Sequence, residues 1–283
     1  MATPARLDHS IVITRRPEDA WALFTRLGFT LSPVSRHRVT TTPDGPPVLG
    51  CTANRCAYLD GGFVELIGII DEAAPDPWRV LPLIAGGDGG LRGVSFGLGD
   101  SDRVLDRLRD TGLAGSGVLS LERPVGSGVL RARSVHVDRA RTPEGIVHSA
   151  EHLTPELVRA VPHANGARAL TGVLLFADGS EVDSIRDRYA TLLDRESRKV
   201  DHGRVFDLDG GRLELVVDLD AALPGETPPS SPGFVAQEVG VADVDAARAL
   251  VEGAGVPTRD VPGGFLVSAR ETFGAAVLFR SAG

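Results

Sequence analysis

The chain has 283 residues, with 30 Lys and Arg against 38 Asp and Glu, for a net charge of −8. Hydrophobic residues make up 42% and charged residues 24%, the balance of a folded globular chain long enough for one large or two medium domains. An acidic excess without a long basic run argues against nucleic acid and anionic membrane as partners, and no run of about 18 apolar residues predicts a membrane span. The opening MATPARLDHSIVI lacks a secretion-signal pattern. Two cysteines, Cys51 and Cys56, cannot build a disulfide framework. Five positions apart on one expected strand, they point to opposite faces, and they read as small core residues in a reducing, cytoplasmic setting.

In chain order, a strand LDHSIVIT (7–14) leads into a helix, Pro17–Gly28, with Glu18 and Asp19 in its first turn and a closing glycine. Strand-like runs follow at 29–38, 51–60 and 62–70. A second strand, RGVSFGLG (92–99), leads into SDRVLDRLRDTG (101–112), which repeats the helix design. LTGVLLFA (170–177) precedes SEVDSIRDRYATLLD (180–194), and FVAQEVGV (234–241) precedes VDAARALVEGAG (244–255). Three helices place an acidic residue ten before the closing glycine: Glu18 and Gly28, Asp102 and Gly112, Asp245 and Gly255. Residues 59–66, LDGGFVEL, return at 208–215 as LDGGRLEL. Such repetition marks copies of one supersecondary unit. The predicted fold is α+β, four βαβββ modules. PHANGA (162–167) and PGETPPSSPG (224–233) are the clearest linkers, so the expected domains are 1–160 and 165–283, two modules each.

The tandem βαβββ pattern resembles the vicinal oxygen chelate superfamily, the relatives of glyoxalase, bleomycin-resistance and dioxygenase proteins. The wording LDHSIVI, SRH (35–37), CTAN (51–54), GGFVELIGI (61–69) and HLTPELV (152–158) with HANGA (163–167) is similar to its glyoxalase-like branch. The resemblance implies two half-barrel domains. It also implies a divalent metal (Fe, Zn, Ni, Mn or Co) held by side chains of the first and fourth strands of each module. The metal would chelate two neighbouring oxygens of a small-molecule substrate and stabilise an enolate-like anion as a Lewis acid.

Carried over residue by residue, His9 and Glu65 match the first-module ligand positions. The second module offers Glu151 or His148 on its fourth strand. Counting from Gly145 in one register puts Glu151 on the cavity side, and in the other puts His148 there. Glu65 and Glu151 are the expected proton-moving carboxylates. The third and fourth modules have Gly172 and Ala236 where His9 stands in the first, so no full metal site is expected there, although Glu214 and adjacent Gln237 and Glu238 remain. From His9 to Glu65 the first module spans 56 positions, against 42 from Gly172 to Glu214, which sets an insertion at about 36–50. That insertion is read as a pocket wall. His37, Arg38, Asn54 and His136 are the expected substrate-binding residues. The arginines of 123–141 read as the solvated face of a strand, and no nucleophile elbow or phosphate loop is present. Three functions remain open: a metal-dependent isomerase or lyase, a metal-free binder of a natural product or drug, and an iron(II) extradiol-type dioxygenase, which requires two histidines and therefore His148. The two bowls form within one chain or by pairing in a homodimer.

Overall fold

A computed structural model describes residues 5–39, 46, 48–125, 128–228 and 231–282. Its elements are β1 (Arg6–Thr14), α1 (Pro17–Arg26), β2 (Ser35–Val39), β3 (Val48–Leu59), β4 (Gly62–Ile69), β5 (Gly89–Gly97), α2 (Ser101–Asp110), β6 (Leu119–Val125), β7 (Gly128–His136) and β8 (Ile146–His152). The second half repeats the order with β9 (Ala167–Phe176), α3 (Val182–Leu193), β10 (Arg198–Val200), β11 (Gly203–Leu208), β12 (Gly211–Val216), a short α4 (Leu219–Ala222), β13 (Gly233–Val241), α5 (Val244–Gly253), β14 (Arg259–Val261), β15 (Gly264–Val267) and β16 (Ala276–Ser281).

Two eight-stranded sheets result, in the orders β2-β3-β4-β1-β5-β8-β7-β6 and β10-β11-β12-β9-β13-β16-β15-β14. Each is a half-barrel of two βαβββ units whose first strands meet antiparallel at the centre. The first strand of each unit also pairs parallel with its own fourth strand, as β1 does with β4 and β13 with β16. The central strands are covered on both faces and so are apolar almost throughout: every residue of β13 is buried.

Alternation sorts the side chains into two environments. The outer faces of both sheets, with all four long helices, share one core that includes Phe24, Phe29, Phe96, Tyr189, Phe206 and Phe279. Each inner face has a smaller core of its own. In the first sheet Ile11, Ile13, Ile67, Ile69 and Ile146 meet Ile84 of a 3-10 turn (Leu81–Ile84) and Val80 just before it. In the second, Leu174, Ala236 and Leu278 meet Leu219 and Leu223 of the α4 segment. Neither plug is expected from the sequence. Both sit in the connection between a unit's fourth strand and the next unit's first, and both fill one end of a bowl.

The repeated LDGG is a hairpin turn in both copies. Gly61 and Gly210 take φ of 77° and 100°, a region that glycine enters without a Cβ penalty. The aspartate before each glycine pair docks on the opposite half. Asp60 N donates to Arg168 O at 2.6 Å, and Asp209 N donates to Ala5 O at 2.8 Å. The linker is pinned as well. His163 Nδ1 accepts from Thr30 N at 2.9 Å, so its proton sits on Nε2, which donates to Tyr58 O at 2.9 Å. Asn165 Nδ2 donates to Leu27 O at 2.8 Å. Cys51 and Cys56 are both buried and unlinked. No helix among the described residues is long and apolar enough to cross a membrane.

Two stability measurements test this packing. A Cβ on Gly68 would lie 2.2 Å from Pro17 Cβ and 3.3 Å from Trp21 Cζ2, where α1 crosses β4. Gly68→Ala is expected to cost about 2 kcal/mol in urea denaturation, as overpacking does. Burial holds the His163 pKa below its ordinary value. The unfolded chain therefore binds more protons than the folded one below pH of about 6.5, and stability falls as pH drops through that window. A His163→Gln variant should lose part of that acid sensitivity when urea midpoints at pH 7.5 and 5.5 are compared.

Candidate functional site

The open end of the first bowl gathers the polar side chains. Backbone register decides which ones. His9 pairs with Phe63 on β4 and with Ser95 on β5, Ser95 pairs with His148 on β8, and His148 pairs with His136 on β7. Ile11 pairs with Glu65, and Glu65 with Cys56. Paired residues share a face, so His9, Glu65, His148 and His136 all look into the bowl.

Glu151 does not. It pairs with Arg133 and lies on the outer face with Ser149. Its Oε2 accepts from Ser101 N at 3.0 Å at the start of α2 and from Arg133 NH1 at 3.4 Å. The expectation that Glu151 faces the cavity is thereby corrected, and with it Glu151 as a proton-moving residue there. The matching turn glycines are Gly62 and Gly145, each three positions before an inward residue, and the register through Gly145 selects His148. Arg131 pairs with Glu122 at 2.9 Å, and Arg133 shares the outer face with Glu151.

Within the bowl a buried carboxylate does the arranging. Asp8 is 1% exposed. The β1–β5 ladder slips between Leu7 and His9, and this bulge lets Asp8 lie against the ring of its own neighbour. Asp8 Oδ1 lies 2.7 Å from His9 Nδ1, and Oδ2 lies 2.9 Å from His152 Nε2. Burial would raise its pKa, but the bonds from His152 and His9 win and hold it well below the usual carboxylate range. An ionised carboxylate only accepts, so both facing ring nitrogens carry protons. The other ring nitrogen of His9, Nε2, faces Glu65 Oε2 at 3.7 Å.

Glu65 is fixed from its other side. Its Oε1 accepts from Asn54 Nδ2 at 2.5 Å and lies 4.0 Å from His37 Nε2. His37 Nδ1 lies 2.7 Å from Thr52 Oγ1, and its ring stands edge-on to Trp78 with centroids 4.9 Å apart. His9 stacks on Phe63 at 4.3 Å, and its ring centre lies 5.3 Å from that of His148. His136 stacks on His148 at 4.8 Å. Burial and the neighbouring His136 and His9 hold His148 far below its ordinary pKa, and burial with Arg139 nearby pushes His136 down to about 4. Both are neutral at pH 7, the state in which imidazole binds metal.

The structure thus brings together His9, Glu65, His148, His37, Asn54 and His136, and leaves Arg38 exposed on β2. Residues 40–45 and 47 of the insertion lie outside the described residues. Asp8 is not among the residues expected from the sequence, whereas His152 is expected on the same strand face as His148 without a role of its own. The signal for His152 was its shared parity with His148; Asp8 had none, because alternation points it away from His9. A surface hollow of about 340 Å³, lined by Arg16, Asp88, Arg270 and Phe273 among others, lies elsewhere and holds no histidine.

Whether these residues suit a divalent metal is a question of donors and distances. The donors suit it: two imidazoles and a carboxylate. Ligand atoms at about 2.1 Å from one ion lie roughly 3–4 Å apart, so the His9–Glu65 gap is of the right width. Among the described residues no three His, Cys, Asp or Glu side chains already stand as a closed metal-holding group. His148 is the member out of line, with Nδ1 at 3.2 Å from both Ser95 Oγ and Ser149 O. The fit is in residue type and face for all three, and in reach for His9 and Glu65.

The family model for the glyoxalase-like domain matches residues 7–193. The chain belongs to that family, within the vicinal oxygen chelate superfamily. Solved structures share the fold over the whole chain. A hypothetical protein from Staphylococcus aureus aligns with a TM-score of 0.65 at 11% identity, covering 98% of this chain and 99% of its own. A triple mutant of 4-hydroxymandelate synthase from Streptomyces coelicolor aligns at 0.61 and 15% identity, covering 99% and 94%. A fusion of a xylose isomerase-like TIM barrel with 4-hydroxyphenylpyruvate dioxygenase aligns at 0.57 and 16%, covering all of this chain and 50% of that one. At these identities the likeness is one of fold. No curated protein matches the chain in sequence.

The Asp8 arrangement predicts a measurable cost. Asp8→Ala leaves two buried imidazole N–H groups without an acceptor and should lower stability by about 3 kcal/mol in urea denaturation. Asp8→Asn, which keeps one acceptor, should lose less.

Proposed function

We propose that the first bowl is a divalent-metal site formed by His9, Glu65 and His148, and that the protein is an enzyme acting on a small, oxygen-rich substrate held through two neighbouring oxygens. The observation that supports this most is the His9–Glu65 gap. His9 Nε2 faces Glu65 Oε2 at 3.7 Å, while Asp8 Oδ1 holds the other ring nitrogen at 2.7 Å. An imidazole nitrogen and a carboxylate oxygen at that separation would suit a divalent ion bound between them.

A bound divalent ion would supply Lewis acidity to a substrate carbonyl or enol. The remaining work belongs to the chain. Asp8 keeps the proton on His9 Nδ1 and so keeps Nε2 aimed at the ion, as carboxylates behind metal-binding histidines do. Asn54 holds Glu65 Oε1 and leaves Oε2 for the ion. His136, neutral and stacked on His148, offers a base beside the substrate position, a role that Glu151 cannot fill from the outer face.

Among reaction classes, the donor set favours an iron(II) dioxygenase over a glyoxalase-type isomerase. Two histidines, one carboxylate and open positions are the facial set of non-haem iron oxygenases. The fourth strand-matched position holds Ser95, a poor ligand. A metal-free binding protein is the competing reading.

Protein purified without chelators should carry about one divalent ion per chain by elemental analysis. Glu65→Gln and His148→Ala should each weaken binding of added Fe²⁺ or Mn²⁺ at least tenfold, whereas Glu151→Gln leaves it unchanged. Oxygen uptake by the iron-loaded protein with catechols or 2-oxo acids would place it among dioxygenases. Ligand binding and turnover that survive complete metal removal would sink the metal reading and leave the binder.

A further inference from the structure

The second bowl repeats the first position for position. Gly172 pairs with Arg212 and with Glu238, as His9 pairs with Phe63 and with Ser95. Leu174 pairs with Glu214, as Ile11 pairs with Glu65. Glu238 pairs with Leu278, as Ser95 pairs with His148. The four strand-matched ligand positions therefore hold Gly172, Glu214, Glu238 and Leu278. Both histidines are gone, and a second carboxylate has been gained. Glu214 is 6% exposed and Glu238 1%. Two carboxylates this deep require a positive partner.

That partner is Arg212, the residue that turns LDGGFVEL into LDGGRLEL. Its NH1 and NH2 donate to Glu238 Oε1 and Oε2 at 2.9 and 2.6 Å, a two-pronged pairing, and its Nε donates to Glu214 Oε2 at 3.3 Å. One guanidinium thus bridges both acidic positions. Glu238 also accepts from Thr171 Oγ1 at 2.8 Å and faces Arg280 Nε at 2.8 Å, while Glu214 Oε1 bonds His202. Gly172 makes the room. A Cβ there would stand 3.3 Å from Glu238 Cβ and 3.6 Å from Arg212 Cγ, so a histidine ring in the place of His9 would enter the space of the arginine.

We propose that the second bowl is a metal position converted to a protein cation: the Arg212 guanidinium stands where the superfamily places a divalent ion, and this half of the chain binds none. The superfamily's metal does not fit the second bowl, and the reason is a built-in charge rather than a mere loss of ligands. Arg212 is thereby a structural counter-ion. The conversion also leaves a latent site, because Glu214 and Glu238 still face one another once the guanidinium is taken away. This reading does not depend on the metal proposed for the first bowl.

Thermal unfolding of the full chain in a His148→Ala background isolates the second bowl. Arg212→Met should lower the Tm by roughly 10 °C, because it removes the one cation that bridges both buried carboxylates while keeping the aliphatic stem. Millimolar Mn²⁺ should restore at least half of that loss, with one ion bound by calorimetry, and KCl of equal ionic strength should not. Without Arg212→Met, Mn²⁺ should leave the Tm unchanged. Arg212→Met combined with Glu238→Gln should regain stability without Mn²⁺ and lose the response to it, and it decides the matter if the single variant fails to fold. An Arg212→Met protein as stable as its parent, or one that Mn²⁺ and KCl restore alike, or a double variant no more stable than the single, would overturn the proposal.

Discussion

The first bowl depends on a buried negative charge next to the imidazole it controls. Asp8 would point away from His9 in a regular strand. The bulge in β1 brings its carboxylate against the neighbouring ring, and a second ring, His152, closes on it from β8. The charge is tolerated because two N–H donors meet it, and it holds the ring of His9 by Nδ1. The other site residues are then placed around His9 Nε2: Glu65 across the gap, Asn54 behind Glu65, His148 beside His9. Remove the bulge and the strand still pairs, but the imidazole loses its orientation. A local irregularity in backbone pairing is thus the source of the chemical order in the bowl.

The two half-barrels meet the same constraint with different means. Each inner face must fill one end with apolar side chains and leave the other end polar. The connection after the fourth strand supplies the filling in both, through Val80 and Ile84 in one and Leu219 and Leu223 in the other. At the polar end the first sheet arranges imidazoles around a carboxylate, and the second locks two carboxylates around a guanidinium. The outer faces stay common to both, joined by Ser10 Oγ donating to Gln237 Oε1 at 2.5 Å inside the shared core. Function can therefore diverge on the inner faces without disturbing the packing of the outer ones.

The fold was legible because the helices repeat their acidic start and glycine stop, and because LDGG recurs at a hairpin; both are local signals. The inward placement of His9 and Glu65 was legible for the same reason, since copies of one unit keep their register. Glu151 against His148 was not. A count from one turn glycine or its neighbour reverses every face, and only the ladder between β5, β7 and β8 fixes it. Asp8 was hidden by its bulge, which no spacing rule anticipates. The plugs after β4 and β12 were missed because they are short and are held by the bowl they fill, not by their own propensity. The replacement of Phe63 by Arg212 was visible in the sequence, but its meaning needed the neighbour on β13, which lies 26 residues away in the chain.

The docking of each LDGG turn on the opposite half has a consequence for how the chain is made. Asp209 seals the start of β1 through Ala5, across 204 positions of sequence. A ribosome delivers the first half-barrel complete in sequence long before that partner exists, at about 5–20 residues per second. For that interval the outer face of the first sheet, with Leu7, Phe96 and Phe29, has no second sheet to cover it. The nascent first half is then an incomplete object with an open apolar back, and the final closure is a late, long-range step. The pseudo-symmetric exchange of turns that locks the finished protein leaves its first-made half waiting on its last.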